Sequence, residues 1–351
     1  MLHPRSPGWL AEWEPHQATW LSWPHNPETW PGSLTDVQNA FSSIVRVLAD
    51  VESVHINVNS LEMERQVQRN VRNGISSGRI FVHHFVTDDA WCRDYGACLV
   101  RHSRLEKDGH VSRVPALAAV DWEFNCWGNK YPAYESDNRI VARMAEVLGV
   151  PRFRPGVVLE GGAIDGNGLG TVLTTESSLL NPNRNRSISR SKLEEILAEY
   201  LGVEQCLWLA GGIEGDDTDG HVDDVARFVS PELILAVTDE EPQSANYAVL
   251  KENLRRLREA RRPDGRPFEI CTLPPVPQSM TAGRVLPASY ANFYIANDLV
   301  LVPVFEGSAD AQACSVLRDV LPSREVVPID CCDIIVGLGA IHCLTQQVPA
   351  A

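Results

Sequence analysis

An α/β fold of similar modules set around one centre is what this sequence predicts, on three observations. The first is a repeat. Polar clusters marked by glycine or aspartate recur along the 351 residues, and with Asp94, Glu160, Asp223, Asn292 and Cys343 as anchors the gaps are 66, 63, 69 and 51. A near-constant spacing of this length points to repeated supersecondary units whose like-placed strand ends meet. The second is alternation, since apolar strand-like runs and amphipathic helical stretches follow one another between the clusters, the pattern of an α/β architecture. The third is the lack of a GxGxxG turn after a strand with an acidic residue at the right distance, which disfavours a dinucleotide-binding domain. Size alone would allow two domains; the repeat argues for a single domain spanning 1–351.

The opening carries Trp9, Trp13, Trp20, Trp23 and Trp30 between prolines 15, 24, 27 and 31. That spacing fits neither helix nor strand, so extended segments and turns are expected, with the rings closing a core edge or touching a ligand. A helix follows over about 35–49, with Val37, Phe41, Ile44, Val45 and Leu48 on one face. Val54, Ile56 and Val58 alternate as a strand, and a helix over about 61–72 stops at Gly74. The strand Ile80 to Val86 leads into Asp88, Asp89, Trp91, Arg93 and Asp94, ahead of a strand Ala97 to Val100. Loops held at strand ends are where sites lie, although a solvated turn with an Arg–Asp pair would read the same way.

Asp121 to Asn125 reads as a short strand or turn, and a helix over about 137–148 ends at Gly149. Val157 to Thr175 reads as two strands joined by a glycine-rich turn, with Glu160 pointing inward from the end of the first. A helix over about 192–201 opens with a capping box of Ser191 and Glu194. Between Gly215 and Val229, five aspartates surround His221 without the spacing of a calcium loop. On a strand, His221 and Asp223 would share a face, an arrangement suited to acid–base work on a cation. Metal ligation by the same pair stays open as the alternative.

Leu233 to Val237 is a buried strand, and residues 244–261 form a basic amphipathic helix whose arginines face solvent. After Pro274, Pro275 and Pro277, the segment Ser289 to Asp298 precedes the apolar run Leu299 to Val304, then a helix over about 309–320 and Val326-Val327. Finally Gly337 and Gly339 punctuate a turn that delivers Cys343. Glycine permits close backbone approach to a ligand. A lone cysteine there is a thiolate nucleophile when histidine and carboxylates join it; a small buried hydrophobe is the other reading.

Composition narrows the partners. A net charge of −15 argues against a phosphate-binding surface, hence against nucleic acid, and favours cations. Nine cysteines without a CxxC pair exclude a zinc ribbon and fit a reducing compartment. No 18-residue apolar run occurs and residues 1–7 carry no apolar segment, so neither membrane nor secretion is expected and the cytoplasm is the default.

Together these residues carry a family likeness. The chain resembles agmatine deiminases and the bacterial peptidylarginine-deiminase-like proteins of the guanidine-modifying pentein superfamily. The matching pieces are Glu14-Pro15-His16 through Trp23-Pro24, Asp89-Ala90-Trp91 with Arg93-Asp94, Leu159-Glu160-Gly161-Gly162, Gly220-His221-Val222-Asp223-Asp224, Tyr290 with Asn292-Phe293, and Ile341-His342-Cys343 with Thr345-Gln346-Gln347. They run in family order over nearly the whole chain. Departures are Gly337-Leu338-Gly339-Ala340 where the family has Gly-Gly-Gly-Asn, Gly96-Ala97 where it has Gly-Pro, and a short stretch from Val276 to Leu286.

The resemblance implies a five-module pseudo-fivefold α/β propeller, the pentein fold, and hydrolysis of a guanidinium through a covalent cysteine thiouronium. Agmatine, giving N-carbamoylputrescine and ammonia in polyamine biosynthesis, is the first substrate. Peptidylarginine, arginine or a small guanidine is the alternative, followed by amidino transfer or guanidinium binding without turnover. By family position and chemistry, Asp94 and Asp223 grip the guanidinium fork and Cys343 attacks its carbon. His221 handles protons and Glu160 orients it. Trp91, Asp217 (or Asp216), Asn292 and Gly339 contact the rest of the substrate. No cofactor and no metal are required, and a homodimer is common in the family.

Overall fold

Five sheets of three or four strands repeat one pairing order in the computed structural model, which describes residues 8–71, 78–103, 116–277, 280–281 and 283–350. In each, a first strand lies antiparallel to a second, and the second lies parallel to a third. These triplets are Cys98–His102, Ala116–Val120 and Arg152–Phe153; Ile164–Gly166, Thr171–Thr175 and Gln205–Leu209; Ala226–Phe228, Leu233–Val237 and Glu269–Leu273; and Tyr294–Ile295, Leu299–Val304 and Glu325–Asp330. The fifth is assembled from both ends of the described chain. Gln346–Pro349 pairs antiparallel with His16–Ser22, which runs parallel to Ser53–Asn57 and so to Ile80–His83. A parallel partner needs a long crossover, and helices supply it in every module: Leu34–Val51, Ile140–Leu148, Arg190–Leu201, Tyr247–Glu259 and Asp310–Val320.

Apolar periodicity explains these helices. In Leu34–Val51 the buried face is Val37, Phe41, Ile44, Val45 and Leu48, and Ile140–Leu148 stops at Gly149 in the left-handed region, φ 66°. The tryptophan-rich opening closes the core: Trp20, Trp23 and Trp30 are buried. Each indole N–H still finds an acceptor, at Asn57 Oδ1 (2.8 Å), Gln66 Oε1 (3.3 Å) and the Ile334 carbonyl (2.9 Å) respectively.

Several sequence expectations shift. The Arg190–Leu201 helix is capped by Ser189, whose hydroxyl accepts from Lys192 N at 3.3 Å, while Glu194 accepts from Trp208 Nε1 instead of closing a box with Ser191. The hairpin is Ile164–Gly166 with Thr171–Thr175, and Val158 makes only an isolated bridge to Glu123. His221 and Asp223 are not on a strand: Val222–Asp224 is a turn of 3-10 helix with His221 at its head. Period-two alternation therefore does not relate them. The helix stop expected at Gly74 and the start at residues 1–7 lie outside the described residues. Among the described residues, no helix is long and apolar enough to cross a membrane.

Candidate active site

Every module sends a short turn into its first strand, and those turns bear the five anchor residues. Cys92–Tyr95 bears Asp94, and Gly161–Ala163 follows Glu160. Val222–Asp224 bears Asp223 beside His221. Asn292 precedes Tyr294–Ile295, and Ile341–Leu344 bears Cys343. All five anchors meet beside a cavity of about 340 Å³ whose walls include Trp91, Asp94, Trp127, Asp217, Gly339 and Cys343.

The contacts are short. Cys343 Sγ lies 3.1 Å from Asn292 Nδ2 and 3.8 Å from Asp223 Oδ2. Asn292 is wholly buried and stands behind the thiol, not on the cavity wall: its Nδ2 also donates to Asp224 Oδ1 (2.9 Å) and its Oδ1 accepts from His342 N (2.9 Å). Burial and the negative charges of Asp223, Asp224 and Asp94 push the Cys343 thiol well above its ordinary pKa.

His221 lies between carboxylates, with Nδ1 3.7 Å from Asp94 Oδ1 and Nε2 3.9 Å from Glu160 Oε2. Burial opposes its charge, but Asp94, Glu160 and Asp223 outweigh it and raise the imidazole to about 10. Neither ring nitrogen makes a hydrogen bond, and Glu160 Oε2 and Asp223 Oδ1 make none either. Glu160 is gripped from behind by Arg184, Nε to Oε1 2.7 Å, and Arg184 also pairs with Asp219. Burial works against ionising Glu160, yet His221 and Arg184 hold it below the usual value.

Asp94 accepts from Trp127 Nε1 (2.8 Å) and Gly162 N (3.0 Å). Burial, with Asp223 and Glu160 behind it, lifts Asp94 to about 6 against the pull of His221. Gly162 has to be glycine, since a Cβ there would lie 2.6 Å from His221 Nδ1 and 2.9 Å from Asp94 Oδ1. Gly339 is similar, its Cβ falling 2.6 Å from the Trp91 ring and 3.1 Å from Cys343 Cβ. Leu338 takes φ 73° and buries its side chain against Leu286 and Ile335.

Trp91 serves core and cavity together, packing on Trp30 with ring centroids 5.3 Å apart while lining the pocket. Asp217 stands on the wall, bonded to the Tyr131 hydroxyl and 3.6 Å from Arg284. Asp216 turns inward instead, accepting from Thr218 N (2.8 Å) and His221 N (3.0 Å); its carboxylate braces the loop. Sequence reasoning missed Glu12, Arg184, Arg227 and Trp127, and it placed Arg93 and His342 in motifs without assigning either a partner. Arg227 did give a signal, a charge inside the apolar run Val225–Val229, which demands buried partners. Among the described residues, no group of three or more His, Cys, Asp or Glu is arranged to hold a metal ion.

Comparison with known proteins gives the family and the fold. The sequence profile of the Porphyromonas-type peptidyl-arginine deiminases matches residues 8–349. The agmatine deiminase of Pseudomonas aeruginosa is 36% identical, with 99% of this chain and 97% of that protein covered. Among solved structures, the agmatine deiminase of Enterococcus faecalis superposes with TM-score 0.89 at 29% identity, covering 99% and 98% of the two chains. A cysteine-to-serine variant of the C. jejuni agmatine deiminase with substrate bound gives 0.84 at 27% identity over 97% and 96%. The chain belongs to the Porphyromonas-type peptidyl-arginine deiminase and agmatine deiminase family. Its mixed α/β fold is the one those structures share. Within that family it is an agmatine deiminase-like hydrolase.

Proposed function

We propose that this protein hydrolyses agmatine to N-carbamoylputrescine and ammonia through a covalent thiouronium on Cys343, with residues 1–351 acting as one five-module α/β propeller. The observation that carries the reading is a thiol 3.8 Å from Asp223 in a buried ring of carboxylates that also holds the His221 imidazole, 3.7 Å from Asp94 and 3.9 Å from Glu160. Asp94 and Asp223 take the guanidinium N–H fork, and the unbonded Oδ1 of Asp223 is the acceptor left for it. The bound cation offsets the negative charges that keep the Cys343 thiol protonated, so the thiol loses its proton on binding. The thiolate adds to the guanidinium carbon. Protonated His221 then passes its proton to the departing nitrogen, which leaves as ammonia. Neutral His221 next takes a proton from water, which adds to the thiouronium carbon. The carbon–sulfur bond breaks with its electron pair going to sulfur, which takes up the hydroxyl proton of the adduct, freeing the ureido product and restoring the Cys343 thiol.

A consequence is measurable. Agmatine binding at pH 8 is expected to release about one proton per site from Cys343. Rapid mixing with a pH-indicator dye, read before the first turnover ends, detects that proton in the parent, and the Cys343→Ala chain should release none. Equal release by both chains would place the proton on another group.

The substrate's far end favours agmatine. Glu28, Asp88, Asp89 and Asp217 line the cavity and, among the described residues, face a single arginine on its wall, Arg284, so an ammonium tail meets acids. Arg284 supports the second reading, a carboxylate-bearing substrate such as arginine or peptidylarginine, because half its side chain is exposed; Asp217 at 3.6 Å partly offsets it. Ammonia release from agmatine, arginine, a peptidylarginine and small guanidines, each supplied alone, tests the function. Agmatine should lead by at least about tenfold in kcat/KM, as one desolvated ion pair implies. Preference for a carboxylate-bearing substrate would reassign it. A requirement for an amine acceptor would indicate transfer.

A further inference from the structure

The residues just named leave unexplained a chain of charges buried on the far side of Asp223. Glu12 is 6% exposed, His342 2% and Asp223 0%. Glu12 Oε1 accepts from Arg227 Nη2 (2.8 Å) and Ile295 N (2.9 Å), and its Oε2 meets Arg93 Nη2 (3.0 Å) and His342 Nε2 (2.9 Å). The other side of the same imidazole, Nδ1, lies 2.6 Å from Asp223 Oδ2.

We infer that Glu12 and His342 form a buried relay that fixes the rotation of the Asp223 carboxylate, making His342 a positioning residue for the guanidinium. The inference deepens the functional reading above and rests on it. The steps are chemical. A carboxylate whose neighbours are two guanidinium groups and a backbone N–H is ionised and accepts only, so His342 Nε2 must carry a hydrogen toward Glu12. A proton also occupies the 2.6 Å contact between Nδ1 and Asp223, which leaves Oδ2 satisfied and held. Only Oδ1 of Asp223 is then free, and it makes no hydrogen bond.

That selection matters because the terminal carboxylate torsion is broad and soft. Without a partner on one oxygen, a buried Asp223 would turn toward whichever donor lay nearest. The backbone of His342 is fixed as well, its N–H donating to Asn292 Oδ1 (2.9 Å) and its carbonyl accepting from Arg93 Nε (3.3 Å). Since Cys343 is the next residue, one short turn sets both the nucleophile and the orientation of the carboxylate that holds its target.

The test uses full-length chains carrying Cys343→Ala, so that binding is read without turnover, with agmatine and arginine titrated by calorimetry. In His342→Asn the amide nitrogen can stand where Nδ1 stood and still donate to Asp223. In His342→Gln the amide reaches toward Glu12 and leaves Asp223 Oδ2 bare. The Gln chain is expected to raise Kd about 30-fold, the worth of a charge-assisted bond in a dry site, and the Asn chain less than about tenfold. Equal losses in both chains, or none in either, would overturn the relay, because a packing role cannot tell the two amides apart. Should the Gln chain not fold, the Asn chain decides alone: a rise beyond tenfold overturns the relay and a smaller one supports it. A Cys343→Ala parent that binds neither compound sinks the functional reading, and the relay with it. A parent that binds, with Kd unchanged in a folded Gln chain, sinks the relay alone.

Discussion

Cys343→Ala is expected to end ammonia release, lowering kcat by about 100,000-fold, the scale seen when a covalent nucleophile is removed from a site that acts as a unit. Binding should survive within about tenfold, because the cost of deprotonating the buried thiol offsets much of the attraction that its thiolate then offers the cation. In the proposed mechanism Asp94 and Asp223 hold the cation whether or not sulfur is present. Removing the thiol takes no counter-charge from the free protein, where burial and the charges of Asp223, Asp224 and Asp94 keep it protonated. Single-turnover ammonia assays and calorimetry on the same preparation separate the two effects. Mass spectrometry of the parent quenched during turnover should find the amidino adduct on Cys343, and the Ala chain should carry none. Turnover by the Ala chain within about a hundredfold of the parent would remove Cys343 from the chemistry.

Much of this site was legible before any fold was known, and the reason is local. Each functional turn sits just ahead of its module's first strand, so Asp94, Glu160, Asp223, Asn292 and Cys343 recur near one spacing. The helices were equally plain, because a buried stripe such as Val37, Phe41, Ile44 and Leu48 must repeat at 3.6 residues. Geometry inside the turns was not legible. His221 and Asp223 look like alternate strand positions, but their carboxylate and imidazole are presented by a 3-10 turn, whose sequence has no period to betray it. Ser189, not Ser191, caps its helix because only the fold decides which serine faces the free N–H groups. The buried charges were the least visible. Glu12 and His342 are 330 residues apart in sequence, and no local pattern records a partner at that distance. Nor does Arg184 in Asn183-Arg184-Asn185 hint that it braces Glu160 at 2.7 Å.

The same long-range network makes Glu12→Gln the substitution expected to cost the most stability, about 3–5 kcal/mol, the usual loss when one member of a buried ion cluster is neutralised. Glu12 is the carboxylate shared by Arg93, Arg227 and His342, and burial would protonate it were these partners not holding it well below the usual range. Glutamine keeps one acceptor oxygen but turns two N–H donors toward groups that are themselves donors. Arg227 would retain Asp165, Nε to Oδ2 2.5 Å. Arg93 would keep only neutral acceptors, Gln347 Oε1 at 2.6 Å and the His342 carbonyl at 3.3 Å, so its charge would lie buried without a counter-charge. The loss also reaches the seam of the fold, since Gln347 belongs to the strand that pairs with His16–Ser22. Urea unfolding of the full chain at neutral pH should therefore shift its midpoint sharply downward with little change in slope. A loss under about 1 kcal/mol would mean that Arg93 and His342 do not depend on Glu12, and the buried cluster would have to be held together by Asp165 and Asp223 instead.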